Sequence, residues 1–111
     1  MNKGIETLGE GFVDNLFASL RVPRTKDVVV KGAQGVLERG TLLMPDAEGN
    51  QVIMDDTTKL SGVLLEPCDT TDGDVDFFVG FDCDLKLMSI FSGVTELKAD
   101  YYPSASINIK P

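Results

Sequence analysis

The side chains with the best claim to chemistry are carboxylates and thiols. Four aspartates crowd one turn, Asp69, Asp72, Asp74 and Asp76, and two more follow at Asp82 and Asp84. Cys68 precedes the first group and Cys83 stands between Asp82 and Asp84. A calcium loop of the EF-hand kind needs ligands at positions 1, 3 and 5, Gly at 6 and Glu at 12. Placing Gly73 at position 6 puts Asp72 at 5, but Thr70 at 3, Cys68 at 1 and Val79 at 12. Three ligand positions fail, so the cluster reads as a solvated hairpin tip. Asp82 and Asp84 share a face in an extended chain. Such a pair does glycosidase-type work only in a pocket that raises the pKa of one member. The residues around them signal no pocket.

Histidine is absent, which removes the commonest general base and neutral metal ligand. Two cysteines are too few for a Cys₄ zinc site. A disulfide between them stays open from sequence, but a cytoplasmic origin argues against it, and they read as reduced, semi-buried thiols that behave as small hydrophobes. No G-x-S-x-G, S-x-x-K or phosphate-binding G-x-x-x-x-G-K-[ST] occurs. The expectation is a protein that is not an enzyme and has no metal and no cofactor.

The elements that must carry these residues are short. The 111 residues fit one domain. From Thr25 onward the chain reads as β: Asp27–Lys31, Thr41–Met44, Gln51–Met54, Gly62–Glu66, Asp76–Phe81 and Ser106–Lys110 are strand candidates. Leu85–Phe91 is a strand or a short helix, and residues 93–100 suit a helical turn or two. Turns at Gly32–Gly35, Pro45–Asn50, Asp55–Thr58 and Asp69–Asp74 separate them. Gly80 inside a strand suggests a bulge. Six or seven short strands make a compact, mostly β (α+β) domain over residues 25–111.

Residues 1–24 form an N-terminal arm. Gly4, Gly9 and Gly11 loosen its first half. Leu8, Phe12, Leu16 and Leu20 recur every four residues, which predicts a short apolar helix at about 12–20. That stripe is too short to stand alone, so it docks on the domain or on a partner.

Charge divides along the same line. Residues 1–40 hold six basic and five acidic side chains, a net of +1; residues 41–111 hold four lysines and thirteen acids, a net of −9. An acidic body does not bind nucleic acid through its phosphates. No apolar run reaches the ~18 residues of a membrane span. No apolar segment follows Lys3 as in a signal peptide, so a cytoplasmic origin is the default expectation.

Several short elements also resemble a known family in order and spacing. Asp14-Asn-Leu-Phe-Ala18 resembles an N-L-x-A-G element, with Ser19 where glycine is usual. Gly35-Val-Leu-Glu-Arg-Gly-Thr-Leu-Leu43 resembles a G-x-x-x-R-G-T-x-L element. Leu60-Ser-Gly-Val-Leu-Leu-Glu-Pro-Cys-Asp69 and the terminal Ser106-Ile-Asn-Ile109 resemble two more, with Cys68 where valine is usual. Together they are similar to the bacteriophage head decoration proteins of the lambda protein D type.

The resemblance implies a small β-rich fold with an extended N-terminal arm and no catalytic residues. It implies a homotrimer on the outer surface of the virion capsid, at three-fold and quasi-three-fold sites. There the protein would stabilise the expanded head and clamp neighbouring capsomers. Its partners would be the major capsid protein and itself, with no nucleic acid and no membrane, and it would be made in the host cytoplasm. The capsid-binding candidates in the arm are Ile5, Leu8, Phe12, Val13, Leu16 and Phe17. Phe12, Leu16 and Phe17 are the leading anchors, since large apolar side chains dominate interfaces. A second reading stays open: a small soluble β-barrel-like ligand- or peptide-binding module of cellular origin.

Overall fold

The computed structural model describes residues 16–111 throughout, together with the backbone of two strands at 5–7 and 12–14. Those two are β1 (Ile5–Thr7) and β2 (Phe12–Asp14). They pair antiparallel as a sheet of their own, with Glu6 opposite Val13. Ten more strands follow: β3 (Arg24–Val30), β4 (Val36–Leu37), β5 (Leu42–Pro45), β6 (Gln51–Ile53), β7 (Gly62–Val63), β8 (Cys68–Asp69), β9 (Val75–Phe81), β10 (Cys83–Lys86), β11 (Asp100–Tyr102) and β12 (Ile107–Lys110). Short 3-10 turns occupy Thr57–Lys59 and Leu87–Ser89. The chain is mostly β, and no α-helix occurs among the described residues.

Strands β3-β6-β5-β7-β9 close a barrel. A second sheet, β10-β12-β11, lies beside it, and β4 pairs with β8. Alternation along the strands supplies two cores. Leu42 and Val63 join Leu16, Met54, Leu60, Leu85, Ile107 and Ile109 in one cluster. Their chain neighbours Leu43 and Leu64 join Val30, Leu37 and Val79 in the other. Each such buried side chain contributes roughly 1.5–3 kcal/mol relative to exposure.

Two glycines make the close approaches possible. Gly40 takes φ +98°, and a Cβ there would lie 2.5 Å from the Ser89 carbonyl oxygen. A Cβ on Gly62 would lie 2.7 Å from the Gly80 carbonyl oxygen. These glycines belong to the Arg39-Gly40-Thr41 and Ser61-Gly62-Val63 elements singled out in the sequence.

Three sequence expectations are corrected. Residues 12–20 do not form the helix: Phe12–Asp14 is strand, and Phe17 makes an isolated antiparallel bridge with Leu85. The backbone explains why. The Ala18 N–H donates to the Asp84 carbonyl at 2.9 Å, and the Lys86 N–H donates to the Leu16 carbonyl at 2.9 Å. Groups committed to β10 are not available for a helix. A helical stripe would also keep Leu16 and Leu20 on one face, whereas Leu16 is 2% exposed and Leu20 99%. Gly80 is not a bulge: it pairs in unbroken register with Thr25 and with Val63. Its missing Cβ makes room for Leu65, whose side chain comes within 3.0 Å of that position. Residues 93–99 form an irregular loop with one turn rather than a helix, and Asp100 already opens β11; the Gly93 N–H is spent on the Met54 carbonyl.

Candidate functional site

The chain enters the body at Leu16 and runs antiparallel beside residues 81–86 as far as Arg24, which pairs with Phe81. Leu16 is buried in the larger core, and Phe17 packs half-buried against it with the Arg39 guanidinium over its ring. A polar clamp follows. Arg21 reaches two carboxylates at once, with Nη1 at 2.9 Å from Asp82 and Nη2 at 2.9 Å from Asp84. The Ser19 hydroxyl donates to the other Asp84 oxygen at 2.7 Å, and the Asn108 amide donates to Asp84 at 3.1 Å.

Geometry decides which carboxylate matters more. Asp84 is the less exposed, at 15% of its side chain against 36% for Asp82. Donation from Ser19, then from Asn108, and the charge of Arg21 hold its carboxyl below the ordinary value, outweighing its partial burial. Asp82 sits at φ +57°, a left-handed conformation that aspartate tolerates better than most residues. That turn steers β9 into β10 and aims both carboxylates at Arg21. The clamp joins three separate parts of the chain: the 16–24 segment, β10 and β12.

The expectation that Asp82 and Asp84 share a face describes their joint approach to Arg21. Their partner was not legible, since nothing local to Arg21 points sixty residues ahead. Ser19 and Asn108 were missed for the same reason. Their one sequence signal is weak: Ser19 stands two residues before Arg21, a spacing that lets both meet the same strand.

The N-terminal candidates divide. Leu16 and Phe17 belong to the body. Ile5, Phe12 and Val13 belong to β1 and β2, and Leu8 lies outside the described residues. Among the described residues β1 and β2 pair only with each other.

The other chemical candidates have structural work. Asp69 accepts from the Thr71 N–H at 2.9 Å, and hydrogen bonds from Thr71 hold its carboxyl below the ordinary value. Asp74 accepts from the Gly32 N–H at 2.8 Å. Among the described residues no three His, Cys, Asp or Glu side chains gather as a metal site. Cys68 and Cys83 are buried and unbonded to each other. Burial pushes the Cys83 thiol up to about 12 and raises that of Cys68. A thiol so protonated is a poor nucleophile.

No family model matches the chain, and no curated protein or solved structure matches it.

Proposed function

We propose that the chain is a decoration protein of a bacteriophage head: it binds the outer surface of the expanded shell and stabilises it. The elements Gly35–Leu43, Leu60–Asp69 and Ser106–Ile109 motivate the reading by their resemblance to that family. The observation that carries it is the hairpin. A two-stranded β-hairpin is marginal in water by itself, and β1–β2 has no third strand among the described residues. It precedes a segment fixed to the body by Leu16, Phe17 and Arg21. Such a fixed exit with an unsaturated sheet edge suits strand addition to a capsid subunit. In this reading the partner is the major capsid protein. The protein acts as a homotrimer at three-fold and quasi-three-fold sites, where three arms reach separate subunits and clamp neighbouring capsomers.

The clamp refines where an arm deletion must stop. Removing residues through 20 takes Leu16 out of the core, so the informative cut ends at residue 14. The test is binding of this truncated chain to expanded heads, followed by cryo-electron microscopy of the decorated particles. The expected result is a folded protein that no longer binds. Full-strength binding by the truncated chain, or density for the intact chain away from the three-fold positions, refutes the proposal.

A further inference from the structure

Strand β3 is covered on one side only. All seven of its residues, Arg24 to Val30, pair with β9. Its other side pairs with β6 at Val30 alone. Among the described strands nothing covers residues 24–29 on that side, so a row of N–H and C=O groups is left as a template for another strand. Arg24 and Lys26 sit on this strand, exposed, with their cationic groups 5.5 and 5.3 Å from the centre of the Phe81 ring. Neither forms an ion pair within the described residues. In a body of net negative charge this edge is locally basic. It repels its own counterpart on a second copy and favours an acidic strand.

The two faces of the edge differ. Register places Arg24 and Lys26 with Phe81 and Val79 on one face. On the other lie Val29 and Phe78, lining an open concavity with Asp27 and Asp76. The matching occupant is a strand with an acid on one face and an apolar residue on the other. The residue order Ile5-Glu6-Thr7, an acid next to an apolar residue in a strand, offers that pattern in sequence. Residues 1–15 hold Glu6, Glu10 and Asp14 against Lys3.

We propose that, away from any shell, β1 of one copy adds to the β3 edge of a second copy, with Glu6 against Arg24 and Lys26. A second copy fits better than the same one. The chain enters its own body at Leu16, beside Lys86, and the β3 edge starts at Arg24 and runs away from that point. The contact is head-to-tail, so it closes into a ring or grows as a chain of copies. It occupies the strand edge that the arm would otherwise offer to a partner. The contact itself does not depend on the identity of that partner.

The experiment uses the full chain. Equal amounts of unlabelled and ¹⁵N-labelled protein are mixed and treated with a carbodiimide, which joins a carboxylate to a lysine amine without a spacer. The expected product is a Glu6–Lys26 link whose two peptides carry different labels. Sedimentation of R24E/K26E and of E6K should each show self-association weakened roughly ten-fold, and a mixture of the two should regain it. Far-ultraviolet circular dichroism of each variant reports folding independently. Links confined to one label, no link at Lys26, or a mixture that fails to regain association overturns the proposal. Loss of head binding with these links intact would instead count against the decoration reading alone.

Discussion

Leu16→Ala tests which part of the N-terminal region holds the fold. Leu16 is 2% exposed and packs in the cluster that includes Met54, Leu85, Ile107 and Ile109. Truncating a buried leucine loses its transfer free energy and leaves a cavity, together about 2–5 kcal/mol. A domain of this size has only about 5–15 kcal/mol in total. At roughly 4–8 °C per kcal/mol, the melting midpoint should fall by at least ~8 °C. Two tyrosines and no tryptophan make far-ultraviolet circular dichroism the better probe of urea unfolding. Phe12→Ala is the companion variant. It lies in the hairpin, whose two strands pair only with each other among the described residues, so stability should change by less than ~0.5 kcal/mol while, on the decoration reading, binding to heads weakens. An unchanged Leu16→Ala midpoint refutes the reasoning, because it would mean that Leu16 is not a core residue. A large stability loss in Phe12→Ala would do the same from the other side.

Gly62→Ala should destabilise by about 1–3 kcal/mol, since its Cβ would meet the Gly80 carbonyl and the Val79 side chain, each at 2.7 Å; the urea midpoint measures it. Asp84 has a lowered pKa in the folded state, so its contribution is fully present above the ordinary carboxylate pKa of about 4 and is lost as pH falls through the folded value. Asp84→Asn should therefore flatten part of the fall in urea midpoint below pH 4 and leave no pH-linked difference between pH 6 and 8. Native Cys83, with its thiol pushed up to about 12, should resist alkylation at pH 8 and react only after denaturation; mass spectrometry of iodoacetamide-treated protein reads this directly.

Residues 25–111 were largely legible because their signals are local. Ile107 and Ile109 are buried while Lys110 is exposed and Asn108 half-buried, the alternation that marks a half-buried strand. Pro45–Asn50 turns where proline and glycine permit it, with Asp46 accepting from the Glu48 and Asn50 N–H groups. The failures share a cause. The four-residue spacing of Leu8, Phe12, Leu16 and Leu20 is a helical signal, and contacts distant in sequence overrode it. Leu16 is needed in the core and Ala18 hydrogen-bonds to β10, neither of which a local window contains. Gly80 looked like a bulge because the alternative, close packing of Leu65, lies fifteen residues back. The pairing that closes the barrel is not local either, and a barrel stood only in the second reading: β3 meets β9 across forty-five residues or more.

The clamp also limits what one arm can do. β1 has three residues, so its outward edge offers about two backbone hydrogen bonds. At ~0.5–1.5 kcal/mol each, these give roughly 1–3 kcal/mol, weaker than a millimolar contact. Fixing the exit at Leu16 and Arg21 and pre-pairing β1 with β2 reduce the ordering cost but add no attraction. An arm of this kind therefore works only with a further apolar anchor, for which the sequence offers Phe12 and Val13, or in several linked copies. Linkage makes the second attachment effectively intramolecular at millimolar local concentration. The same arithmetic governs exchange between copies and attachment to a shell. A shell that holds several copies in place would draw arms away from one another through multiplicity, without any single contact being stronger.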